Sequence, residues 1–135
     1  MTDQSQIRIL SVDDNQLLRE GIAAIIESQQ DMVLVSQAVN GAEAIQQFRS
    51  LKPDVTLMDL RLPDLSGIDA MIAIRTEFPD ARVIVLTTFE DDVENQRARE
   101  AGASGYLLKS MPPNELLQAI RHVHSGNDGH TWKEV

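Results

Sequence analysis

Short apolar, β-branched runs alternate with stretches of helical periodicity along the chain. Ile7-Arg8-Ile9-Leu10-Ser11-Val12 predicts a strand. Over residues 16–28, Leu18, Ile22, Ile25 and Ile26 recur at helical spacing, with Asn15 placed as an N-cap. Residues 32–38 predict a second strand. Residues 42–51 predict a helix with Ala44, Ile45 and Phe48 on one face. Pro53 ends that helix, because the residue before a proline avoids the α region, and Val55 to Met58 follow as a third strand. Leu62-Pro63-Asp64-Leu65-Ser66-Gly67 reads as a loop. Ile68, Met71, Ile72 and Arg75 mark a helix to Glu77, broken by Pro79-Asp80, and residues 82–87 form the clearest strand. Residues 90–101 predict a charged helix. Its acids Glu90, Asp91, Asp92 and Glu94 come first and Arg97 and Arg99 later, an order that complements the helix dipole. Gly102 is placed to end it. Gly105 to Leu108 predict a fifth strand. A last helix begins at Pro113, runs through Leu116, Leu117, Ile120 and Val123, and ends by Gly126.

Five strands alternating with five helices imply a parallel sheet covered on both faces. With right-handed crossovers this becomes a doubly wound open sheet. The length of 135 residues fits one domain able to bury about two-thirds of its surface. The absence of cysteine excludes disulfides, thiol nucleophiles and Cys-ligated metal centres. Twelve Lys and Arg against twenty-one Asp and Glu give a net charge of −9, which argues against a nucleic-acid surface on this chain and permits cations and basic partners. Residues 1–5 show no basic stretch followed by an apolar core, and no apolar run approaches a membrane span, so neither a signal peptide nor a membrane partner is expected. Residues 127–135 have no readable pattern and are taken as a tail or the start of a linker.

Ligands of doubly wound sheets sit beyond the carboxyl ends of the strands. Strand one ends in Asp13-Asp14, strand three in Asp59, strand four in Thr87-Thr88 and strand five in Lys109. Strand two, ending near Asn40-Gly41, offers nothing distinctive. Taken singly, each residue has an ordinary explanation. Asp13 and Asp14 suit a turn or cap, Asp59 a loop start, Thr87 a strand, Lys109 a solvated surface and Tyr106 half-buried packing with its hydroxyl at the surface. Together they bring three carboxylates, a hydroxyl and an ammonium to one edge. Three packed carboxylates repel one another, and a hard divalent cation such as Mg²⁺ resolves the repulsion. A cation held there can neutralise an incoming phosphoryl group, with Lys109 and Thr87 completing the cradle.

These residues, with Leu10-Ser11-Val12-Asp13-Asp14-Asn15, the run Asp54 to Pro63 with Gly67, Val83 to Thr88, and Gly102 to Lys109, resemble the receiver domains of two-component response regulators, the group that includes CheY. The resemblance covers about residues 6–126, and residues 1–126 are expected to be one receiver domain. It implies a flavodoxin-like (βα)5 fold with strand order 2-1-3-4-5. It implies that Asp59 accepts a phosphoryl group from a phosphohistidine of a sensor histidine kinase. Asp14, Asp59 and the backbone carbonyl of Arg61 would bind Mg²⁺, with Asp13 acting through water. Thr87 would be the switch hydroxyl, Lys109 the ion-pair partner of the phosphoryl group, and Tyr106 the aromatic switch residue that moves inward with Thr87. The face of helix four, strand five and helix five would then change its contacts. Gly105-Tyr106-Leu107-Leu108-Lys109, Glu115 to Arg121 and Gly126 resemble the NarL/FixJ subfamily, which carries a C-terminal helix-turn-helix DNA-binding domain. The resemblance further implies a cytoplasmic protein, homodimerisation on phosphorylation, and no turnover of an external substrate.

Three departures stand out. Ser110 follows Lys109 where many receivers have proline, which leaves the geometry of that peptide open. Thr88 is larger than the usual residue after the switch position. Arg61 and Phe89 fall where receivers vary. Competing readings weaken on the same residues. A flavin binder needs a phosphate loop where Asp13-Asp14-Asn15 would repel phosphate. A haloacid-dehalogenase-like phosphohydrolase needs a second Asp where Arg61 stands. A stand-alone CheY-like output and a non-phosphorylated pseudo-receiver stay open.

Overall fold

A computed structural model describes residues 6–89 and 91–126. The order of elements is β1 (Ile7–Val12), α1 (Gln16–Glu27), β2 (Met32–Ala38), α2 (Gly41–Leu51), β3 (Val55–Asp59), α3 (Gly67–Glu77), β4 (Val83–Thr87), α4 (Asp92–Glu100), β5 (Gly105–Leu108) and α5 (Pro113–His124). The strands form one parallel sheet in the order β2-β1-β3-β4-β5, as expected for the doubly wound class. Among the described residues no helix is long and apolar enough to cross a membrane.

The helix boundaries follow from local capping chemistry. Asn15 accepts a hydrogen bond from Leu18 N–H, Asn40 from Glu43 N–H and Ser66 from Asp69 N–H. The third of these moves the start of α3 to Gly67, inside the segment that the sequence reads as loop. Asp91 accepts from Val93 and Glu94 N–H, so α4 begins at Asp92 and Asp91 is its cap. The expected helical start at Glu90 lies outside the described residues. Gly102, at φ 98°, ends α4 as anticipated, with Gly102 N–H donating to Arg99 O and Ala103 N–H to Ala98 O. Among the described residues there is no cis peptide bond, so Lys109-Ser110 is trans.

Side chains alternate across the sheet, and the alternation sorts the core into two layers. Leu10, Val12, Met58, Val83, Val85 and Tyr106 face α2, α3 and α4. Ile7, Ile9, Val55, Leu57, Ile84, Leu86 and Leu107 face α1 and α5. This parity continues to the strand ends. Asp59 shares the face of Val55 and Leu57, whereas Thr87 shares the face of Val83 and Val85.

Candidate functional site

Asp13, Asp59 and Lys109 extend the parity of the α1/α5 face and converge just past the sheet. Lys109 Nζ lies 2.9 Å from Asp13 Oδ2 and 2.9 Å from Asp59 Oδ1. Both carboxylates are almost fully enclosed, Asp13 at 1% and Asp59 at 4% exposure. Removing any one partner from a cluster this desolvated would leave a buried charge uncompensated, which is costly. Asp13 Oδ1 accepts from Asn15 N–H at 2.8 Å, so the loop that leads into α1 fixes its orientation. Asp59 Oδ1 also accepts from Arg61 N–H at 3.3 Å.

Burial lifts the Asp59 carboxyl above the ordinary carboxylate range, and the charge of Asp13 adds to the lift, against the opposing pull of Lys109. For Lys109 burial works against the ammonium, but hydrogen bonds and charge from Asp59 and Asp13 outweigh it and hold its pKa above the ordinary lysine value. Asp14 is exposed. One carboxylate oxygen from each of Asp13, Asp14 and Asp59 falls within a cluster spanning no more than 4.8 Å. Three carboxylates against one ammonium leave the pocket short of positive charge. Its all-oxygen donor set, with one exposed member open to water, has the chemistry of a hard divalent cation site.

Thr87 and Tyr106 belong to the other face of the sheet, towards α4. Thr87 Oγ1 donates to Phe89 O at 3.1 Å, so the hydroxyl is turned to the β4–α4 connection. Tyr106 is buried rather than half-buried with its hydroxyl at the surface. Burial, followed by the charge of Glu94, raises the pKa of its phenol, while the Thr87 side chain acts in the opposite direction. The structure therefore brings Asp13, Asp14, Asp59 and Lys109 together. Thr87 and Tyr106 form a separate pair behind them.

Two contacts of this edge escape a reading of the sequence. Arg19 Nη1, from α1, donates to Asp13 O at 2.8 Å and holds the acidic turn by its backbone. The only hint in the sequence is a cation one helical turn past the N-cap, a common pattern. Asp64, read as turn punctuation, accepts from Gly41 and Ala42 N–H. No local pattern signals a contact 23 residues away.

The response regulator receiver domain family matches residues 9–121. The transcriptional regulatory protein LnrK of Bacillus subtilis is 38% identical over 120 residues, which cover 89% of this chain and 54% of that protein. This chain thus spans about half the length of the curated relatives it matches. A two-component response regulator of the LuxR family from Aurantimonas superposes with a TM-score of 0.89 at 37% identity, covering 96% of this chain and 90% of that one. The signal receiver domain of a putative NarL response regulator from Mycobacterium tuberculosis gives 0.88 at 28% identity, covering 91% and 99%. Sequence match, strand order and relatives of the NarL and LuxR type agree, and the chain belongs to the receiver domains of two-component response regulators.

Proposed function

We propose that Asp59 accepts a phosphoryl group from a phosphohistidine of a sensor histidine kinase. The observation that carries this reading is the double grip of Lys109 on Asp13 and Asp59 at 2.9 Å, which holds the Asp59 carboxylate at the edge of the sheet beside the other two acids. A carboxylate oxygen of Asp59 forms the new O–P bond as the P–N bond to the donor imidazole breaks. The imidazole keeps the electron pair and takes up a proton. Lys109 stays in place and offsets the charge of the added oxygens. Asp14, Asp59 and the Arg61 carbonyl would hold Mg²⁺, with Asp13 acting through water, and the ion would neutralise phosphoryl oxygens. Exposed apolar side chains stand on the segments that follow β1 and β4: Leu17 on α1 is 80% exposed, Phe89 after β4 71% and Val93 in the first turn of α4 68%. Exposed apolar side chains on these segments suit a macromolecular donor.

In this reading the phosphoryl group draws the Thr87 hydroxyl away from Phe89 O, and the buried Tyr106 and the adjoining α4 respond. Tyr106 already lies inward, so the switch acts on a phenol that is in place rather than one that must enter. Residues 1–126 are one receiver domain of a cytoplasmic protein. The whole protein is a transcription regulator that dimerises on phosphorylation and binds DNA through a C-terminal helix-turn-helix domain beyond this chain. The name of one relative, a transcriptional regulatory protein, supports the regulatory part of that assignment.

The test is intact-protein mass spectrometry after incubation with acetyl phosphate, with Mg²⁺ or with EDTA, on the wild type and on Asp59→Asn. One added phosphoryl group that needs both Mg²⁺ and Asp59 is the expected result. Equal modification of the Asn variant would defeat the assignment of Asp59.

A further inference from the structure

The loop between β3 and α3 is locked at its base and fastened at its tip to a different element. Leu60 N–H donates to Leu86 O at 2.9 Å, and Arg61 pairs with Ser66 in an antiparallel bridge. Gly67 N–H donates to Leu60 O at 2.7 Å, and a Cβ at Gly67 would lie 2.1 Å from Asp59 O, so only glycine closes the base. The tip is held by Asp64. Its Oδ1 accepts from Gly41 N–H at 2.8 Å and its Oδ2 from Ala42 N–H at 3.0 Å, the first two N–H groups of α2. These two hydrogen bonds hold the Asp64 carboxyl below the ordinary range. The Leu65 side chain fills the space beside Gly41, its Cγ only 2.7 Å from where a Cβ would stand.

Helix α2 already has a cap from its own segment, since Asn40 Oδ1 accepts from Glu43 N–H at 2.8 Å. The second cap, supplied by Asp64, therefore adds something beyond helix stability, namely a fixed place for the loop. That loop carries the Arg61 backbone, whose N–H reaches Asp59 and whose carbonyl belongs to the cation site proposed above.

We propose that Asp64 is a positioning residue for the phosphorylation centre, its clasp on the N-terminus of α2 holding the Arg61 backbone beside Asp59. The proposal rests on the reading of the pocket as a Mg²⁺ site. Loss of the clasp frees the loop to sample positions in which the Arg61 carbonyl is no longer aligned with the carboxylates. Outer contacts that orient metal ligands have effects of this kind on affinity.

The experiment compares Asp64→Ala with Asn40→Ala, which removes a cap from the same helix but does not touch the loop. Mg²⁺ affinity is read from amide chemical shifts of the full chain titrated with MgCl₂, and the melting temperature is read in parallel without Mg²⁺. Each variant is expected to lower the melting temperature by about 4 °C, as loss of one cap does. Asp64→Ala alone is expected to weaken Mg²⁺ binding by about tenfold. If Asp64→Ala leaves Mg²⁺ affinity unchanged, or if Asn40→Ala weakens it equally, the positioning role is overturned and the pocket reading survives. If the wild type binds no Mg²⁺, both fall.

Discussion

Helices α4 and α5 sit side by side in the order of the chain, flanking β5, and are built on opposite principles. α5 has no side-chain N-cap, but it buries Leu116, Leu117, Ala119, Ile120 and Val123 against the sheet. α4 has a doubly bonded Asp91 cap, Asp92 and Glu94 in its first turn, and Arg97 and Arg99 in its last, yet buries only Ala98. The first is held by tertiary packing and the second by local chemistry. Short helices held only locally are marginal in water, and elements that respond to ligands come from the weakly held end of a fold. α4 adjoins Thr87 and Tyr106, whereas α5 packs on the face that continues into Asp59 and Lys109. The charge that would change is thus set on the firm side of the sheet, and the element able to answer it lies on the loose side.

Truncation of α5 should give the largest effect. Ile120→Ala removes a fully buried side chain and should cost about 3 kcal/mol in urea unfolding. Amide exchange should accelerate in α5 and the central strands by that full amount while α4, opening locally, changes little. Equal acceleration in both helices would erase the contrast.

The pocket on the α5 face should itself be destabilising when no cation is bound. Burial raises the Asp59 carboxyl above its ordinary value of 3.8, so folding takes up a proton there. The contribution of Asp59 is fully favourable below the unfolded value and is lost as pH rises through the folded one. Stability measured with EDTA should therefore increase as pH falls through the folded value of Asp59. Asp59→Asn should flatten that part of the profile and melt higher than the wild type at neutral pH. Mg²⁺ at ten times its Kd should restore about 1.4 kcal/mol to the wild type, and a melting temperature indifferent to Mg²⁺ would contradict this.

Asp91→Ala tests α4 in the reverse sense. It removes the carboxylate oxygen that accepts from two N–H groups and should destabilise the helix by about 1 kcal/mol, seen as about fivefold faster exchange confined to α4. A drop in global stability of the same size would mean that α4 unfolds only with the rest. The smallest effect belongs to Glu94→Gln, which breaks the 3.3 Å pair with the largely exposed Arg61. It should change unfolding free energy by less than about 0.5 kcal/mol and lose even that difference in high salt.

Much of this molecule can be read without coordinates. The β-branched runs and the 3.6-residue spacing of Ile22 and Ile26, or of Leu116, Ile120 and Val123, determine the elements, because periodicity is a property of neighbours in the chain. The strand-end rule then brings Asp13, Asp14, Asp59, Thr87 and Lys109 to one edge. Element ends are legible in the sequence where a cap stands alone, as at Asn15, and are hidden where a cap sits inside a turn signal, as at Ser66.

What only the tertiary structure decided concerns partners far apart in the chain. That Lys109 grips Asp13 and Asp59 through one ammonium, that Tyr106 lies buried behind Thr87, that Arg19 holds the Asp13 carbonyl and that Asp64 reaches α2 all depend on the packing of separate elements. The same holds for the difference between α4 and α5. The sequence by itself determined where both helices lie, since caps and periodicity act within a turn or two. How firmly each is held depends on how much apolar surface the sheet covers, and that is settled only when strands distant in the chain come together.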